Sequence, residues 1–183
     1  MRAHRTFAAL AVLLAAGVVL AGELKSGPQV SEKLAGPFHP LNINGEHAGE
    51  KNCLYCQNGS KPVAMIFARE CNPTLVKLIK AIDKANAEHK ETMGSFVVFL
   101  GKGEELEAKF KDVVKKNGIK TTILSIDNPA GPKGYKVSRD ADVTVVLYRE
   151  RTVKANYAFK KGELTDKDVA TILGQLPKLL ASK

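Results

Sequence analysis

The chain has 183 residues, a formal net charge of +9 and three cysteines, room for one compact domain and too few thiols for a knottin-like or multi-zinc framework. With 44% apolar and 26% charged residues it lies outside the weakly hydrophobic, highly charged compositions that stay disordered. Its lysines alternate with acids, as in Glu105, Glu107, Lys109, Lys111 and Asp112. The positive balance therefore reads as solvated helix faces, and with no basic block among aromatics and no zinc-finger or RNP-type motif, a nucleic-acid partner is excluded.

Arg2, His4 and Arg5 precede an apolar run from Phe7 to Ala21 that ends in Val19-Leu20-Ala21, the arrangement of a secretory signal peptide with its cleavage site. The run is shorter than the roughly 20 residues a membrane span needs, and Glu23, Lys25 and Ser26 follow at once. Residues 1–21 are read as a signal peptide, with no stable membrane span after cleavage and no cysteine placed to carry a lipid. Cleavage removes two arginines and no acid, leaving 26 basic and 19 acidic side chains, a net +7. The expected location is periplasmic or extracellular, where disulfides persist.

Gly22, Gly27, Pro28, Gly36 and Pro37 mark residues 22–37 as a flexible tether, with the domain proper over 38–183. A short extended piece, Leu41–Asn44, leads into a polar loop with Gly45, Gly49, Cys53, Cys56 and Gly59. The apolar run from Val63 to Ala68 predicts a strand buried on both faces. Leu75, Leu78, Ile79 and Ile82 predict a helix over 73–89, with Asn72 as cap and Pro73 in the first turn. Residues 95–100 read as a second buried strand. Leu106, Phe110, Val113 and Val114 form a second helix stopped at Asn117-Gly118, and residues 121–126 a third strand. After a turn-rich loop from Asp127 to Gly134, strands at 143–148 and 152–159 make an antiparallel hairpin. Thr165 caps a last helix that Pro177 should kink or end. Alternating strands and helices followed by a hairpin predict a mixed sheet with helices on both faces.

The segment Phe67-Ala-Arg-Glu-Cys71-Asn-Pro73-Thr74, the loop Ser125-Ile-Asp127-Asn-Pro, Tyr135-Lys-Val137, and Asp142-Val143-Thr144 before an apolar strand resemble the thioredoxin-like superfamily. The likeness is to its exported thiol-disulfide oxidoreductase and peroxiredoxin-like branch, over residues 38–181. It implies an α/β fold: a three-layer α/β/α sandwich with a mixed central sheet and a C-terminal β-hairpin plus helix. It places Cys71 on the attacking cysteine, Pro73 on the proline between the cysteines, Thr74 on the resolving position and Val143 on a cis-proline that faces the active site. No disulfide can close between Cys71 and Thr74, and a cis peptide before Val143 would cost about 3 kcal/mol or more, so a trans bond is expected there.

Three readings remain for Cys53-Leu-Tyr-Cys56. Two residues between the thiols let both sulfurs meet in one turn as a reducible exchange centre. The same bond can instead pin an exported loop within a non-enzymatic module. A metal site could draw on the two thiols with His47 or His39. Cys71, next to a helix start, is expected to favour the thiolate, with Glu70 opposing it and Thr74 able to hydrogen-bond it. A thiol peroxidase is the second enzymatic reading, although Ala68, Arg69 and Glu70 stand where its threonine should be; Arg69 is expected at a solvent-facing strand end. The reading assigns catalysis to Cys53, Cys56 and Cys71, with Pro73, Thr74 and Val143 supporting, no metal and no cofactor. The partner is a protein thiol or disulfide of unknown identity, and the loop with Cys53 and Cys56 is expected to resolve Cys71 if it folds over the helix start.

Overall fold

The computed structural model describes residues 24–89 and 91–181, so the expected signal peptide lies outside the described residues. Six strands form one sheet: β1 (Leu41–Asn42), β2 (Val63–Ala68), β3 (Gly94–Leu100), β4 (Ile123–Asp127), β5 (Val143–Arg149) and β6 (Thr152–Phe159). Their spatial order is β1-β4-β3-β2-β5-β6. β2, β3 and β4 are parallel; β5 runs antiparallel to β2, β6 to β5, and β1 to β4. The apolar runs of β2 and β3 are buried at every residue, as central parallel strands covered on both faces must be.

Two long helices connect the parallel strands, α2 (Pro73–Glu88) between β2 and β3 and α3 (Glu104–Asn117) between β3 and β4. The crossovers step in the same direction, so connections of one hand put both helices on one face. The α2 stripe of Leu75, Leu78, Ile79 and Ile82 is at most 1% exposed. Asn72 Oδ1 caps this helix by accepting from the Leu75 N–H at 2.9 Å. On α3, Phe110 stacks on Phe99 of β3 with ring centroids 3.6 Å apart, and Gly118 closes the helix in the left-handed conformation at φ 63° and ψ 33°. The C-terminal helices α4 (Asp166–Leu173) and α5 (Leu176–Ala181) join the same apolar cluster through Val169, Ile172, Leu176 and Leu179.

The opposite face holds a second cluster. Val63, Met65 and Phe67 of β2 and Phe96 and Val98 of β3 meet Leu34, Phe38 and Tyr135, together with Leu54 and Tyr55 of the short helix α1 (Leu54–Asn58). The fold is thus α/β with a mixed sheet between two layers and a C-terminal hairpin plus helices. Its thinner layer is made of α1 and irregular segments. Among the described residues, no helix is long and apolar enough to cross a membrane.

Several boundaries differ from expectation for physical reasons. The segment expected as a tether packs against the domain from Ser26 onward. The Ser26 and Thr144 hydroxyls lie 2.6 Å apart, Asn156 Nδ2 donates to the Ser26 and Pro28 carbonyls at 2.9 Å, and the Leu34 N–H donates to the Arg151 carbonyl at 2.8 Å. This chain covers β6, an edge strand whose free N–H and C=O groups would otherwise face water. Gly27, at φ +75°, gives the close approach room, since a Cβ there would sit 3.0 Å from Thr144 Cγ2. The first strand stops at Asn42 because the side chain of Asn44 takes over the pairing, accepting from the Leu124 N–H at 2.7 Å and donating to the Thr122 carbonyl at 3.0 Å. β4 begins at Ile123 rather than at 121 because the Thr121 and Thr122 N–H groups go to Asp83, each at 2.7 Å. Pro177 neither kinks nor ends a helix: Gly174 ends α4, and Pro177 occupies the first turn of α5, where its missing N–H costs nothing.

Candidate active site

The expected polar loop around the cysteine pair contains α1, and Cys53 is its cap at φ −82° and ψ 92°. The Cys53 N–H donates to Asn52 Oδ1 at 2.7 Å, its carbonyl accepts from the Gln57 N–H at 3.0 Å, and its Sγ accepts from the Cys56 N–H at 3.1 Å. Buried Leu54 and Tyr55 fix α1 to the sheet, and the Arg151 guanidinium covers the Tyr55 ring at 4.8 Å from its centroid. At the far end, Asn58 Nδ2 donates to the Leu54 carbonyl at 2.8 Å. Asn58 lies directly over Gly94, where there is no room for a Cβ.

Cys53 and Cys56 are joined in a disulfide with a Cα–Cα distance of 5.2 Å. Its two ends differ: Cys53 is 6% exposed inside the cluster of Phe38, Tyr55 and Phe67, whereas Cys56 lies open to solvent. In this oxidised state the two sulfurs are bonded to each other. His47 Nδ1 faces Glu50 at 3.5 Å, and among the described residues no three His, Cys, Asp or Glu side chains converge.

Cys71, Pro73, Thr74 and Val143 are brought together elsewhere, past the C-terminal end of β2. Pro73 and Thr74 open α2, and Val143 opens β5, paired with Ala68 and Phe159. Among the described residues there is no cis peptide. Cys71 carries a free, half-buried thiol packed against the cluster under α2. Its expected thiolate preference is not found. Asn72 takes the cap position as expected, but burial pushes the thiol above its ordinary value, with the Lys109 charge only partly opposing. Glu70 beside it is ion-paired with Lys161. Because Cys53 and Cys71 belong to clusters on opposite faces of the sheet, the disulfide loop does not fold over the α2 start to resolve Cys71.

Arg69 is not the solvent-facing side chain expected at a strand end. Its guanidinium donates to the carbonyls of Ala141 at 3.0 Å, Pro129 at 2.7 Å and Ser138 at 3.1 Å. It clamps the loop before β5, with one donor from each of its three nitrogens given to backbone carbonyls. Sequence reasoning named Asp142 only as part of the resembling segment and gave it no role; it is a buried carboxyl next to this clamp. Burial, and then the Glu70 charge, raise it above the ordinary carboxylate value. Sequence reasoning also missed Asn52, which accepts from the adjacent Cys53 N–H, and Arg151, which reaches the Tyr55 ring from a position remote in sequence.

No protein-family model and no curated protein sequence matches the chain. Solved structures do. A candidate protein disulfide isomerase from Bacteroides thetaiotaomicron aligns at a TM-score of 0.65 with 19% identity, over 87% of this chain and 96% of that one. A thiol peroxidase from Chromobacterium violaceum aligns at 0.59 with 9% identity, over 85% and 90%. A secreted Mycobacterium tuberculosis disulfide oxidoreductase homologous to E. coli DsbE aligns at 0.52 with 10% identity, over 76% and 96%.

Proposed function

The chain has the thioredoxin-like fold, and we propose that it is an exported protein that exchanges thiols and disulfides with protein partners through Cys53 and Cys56. The observation that carries this reading is the disulfide itself: it joins a buried sulfur to an open one on a short helix held to the sheet. Such a bond can be reached by a partner thiol from one side while the rest of the pair stays fixed. The position that the fold ordinarily uses holds Cys71 without a second thiol, and a mixed disulfide formed there would have no neighbour to release it. Export is supported by the signal-like residues 1–21 and by the secreted neighbour.

The reading is tested by the equilibrium of the Cys53–Cys56 bond against glutathione buffers. An exchange centre falls in the range of about −120 to −270 mV, and a value below about −300 mV identifies a static staple.

A further inference from the structure

We infer that Cys56 is the sulfur that takes the partner and Cys53 the leaving and resolving thiol, an assignment that rests on the thiol-disulfide reading above. The resemblance places its attacking cysteine on Cys71 and sets no order within this pair.

Thiol-disulfide exchange needs a thiolate to reach one sulfur along the line of the S–S bond, so access decides which sulfur is attacked. Cys53 is 6% exposed and enclosed by the cluster that includes Leu54, Tyr55 and Phe38, whereas Cys56 faces solvent with exposed Gln57 beside it. The leaving side is distinguished independently. The sulfur that departs carries the electron pair, and Cys53 Sγ already accepts a hydrogen bond from the Cys56 N–H at 3.1 Å, which a thiolate accepts more strongly. Access and leaving-group stabilisation select the same polarity.

The exchange balances as follows for a dithiol polypeptide. A partner thiolate attacks Cys56 Sγ, forming a partner–Cys56 disulfide and breaking the Cys53–Cys56 bond, and Cys53 departs as a thiolate that takes a proton from water. The partner's second thiolate then attacks its own sulfur in the mixed disulfide. The partner disulfide forms, and Cys56 leaves as a thiolate and is protonated. The partner loses two electrons and two protons, and the protein pair gains them. In the reverse direction Cys56 attacks a partner disulfide and Cys53 resolves.

The probe is reduced glutathione, added to the oxidised wild-type protein for short times and quenched in acid. Chymotryptic cleavage after Tyr55 separates the two cysteines for mass analysis. The early glutathione adduct is expected on Cys56, about tenfold or more over Cys53. An adduct that is equal on both or greater on Cys53 overturns the polarity and leaves the exchange reading standing. No adduct on either sulfur, while a phosphine still reduces the bond, overturns the exchange reading and the assignment with it. A second measurement guards against scrambling between the sulfurs: in variants checked for folding by circular dichroism, Cys53→Ser should react with Ellman's reagent about tenfold faster at its remaining thiol of the pair than Cys56→Ser does. Equal rates, or the reverse order, overturn the proposal.

Discussion

Cys53 and Cys71 pack against opposite faces of the same sheet, the first among Phe38, Phe67 and Tyr135, the second against the cluster of Ile66, Leu75 and Leu78. Relay between them would require Cα atoms within about 7 Å, whereas the two belong to different apolar clusters on the two faces. Cys71→Ser is therefore expected to keep most thiol-exchange activity, whereas Cys53→Ser or Cys56→Ser abolishes it. Reduction of insulin or of glutathione disulfide by the pre-reduced protein provides the assay. Loss of activity in Cys71→Ser with retention in the Cys53/Cys56 double serine variant would reverse the assignment.

Cys71 itself is expected to behave as a sluggish thiol. Burial raises its pKa and Lys109 is the charge that opposes the rise, so its thiolate should appear only above the ordinary cysteine range. With the disulfide left intact, the rate of Cys71 alkylation by iodoacetamide should keep climbing past about pH 8.5, where a free thiol is half ionised. Lys109→Ala should displace the profile to still higher pH. A midpoint near neutrality would mean that a stabilising donor reaches the sulfur.

Gly94 and Asn58 couple the disulfide helix to the start of β3. A methyl group at Gly94 would occupy the place of Asn58 Oδ1, forcing Asn58 to give up its bond to the Leu54 carbonyl. Gly94→Ala should lower stability by about 1–3 kcal/mol, the usual effect of overpacking. It should also loosen α1, so that dithiothreitol reduces the bond faster than in the wild type. Urea unfolding and the rate of reduction check the two parts separately, and unchanged reduction would show that α1 is held without the Asn58 contact.

The order of elements was legible because each signal was local and strong. The unbroken apolar runs of β2 and β3 demanded burial on both faces, Leu75 to Ile82 carried the helical period, and Gly118 stands where a left-handed stop was expected. The cysteine pair was visible for the same reason. What could not be read depends on contacts across long stretches of sequence. Nothing local in Gly- and Pro-bearing residues 26–37 says that Asn156 and Arg151 will bind their carbonyls and N–H groups. Likewise, Asn72 was legible as the cap, but nothing in Cys71-Asn-Pro73 says how deeply the neighbouring thiol is buried, and burial sets its acidity. The face of the sheet on which each cysteine falls follows from strand alternation only once the register is known.

The last prediction concerns Asp83, a buried carboxylate on α2 that gathers the N–H groups of Lys120, Thr121 and Thr122 and the Thr121 hydroxyl. Burial alone would raise its pKa, but these donors outweigh it and hold the carboxyl below its ordinary value. The folded protein thus releases this proton more readily than the unfolded chain. The resulting stabilisation is fully present above the unfolded value of about 3.9 and is lost as pH falls through the lower folded value. Asp83→Asn replaces an acceptor-only carboxylate with a group that presents two donors to a ring of donors. At neutral pH it should lower stability by about 1.5–3 kcal/mol, the range for hydrogen bonds to a charged group. Urea unfolding by circular dichroism at pH 7 and again near pH 3 tests the sign. The gap between wild type and variant should narrow in acid, and a gap of equal size at both pH values would show that the carboxylate's charge contributes nothing beyond its shape.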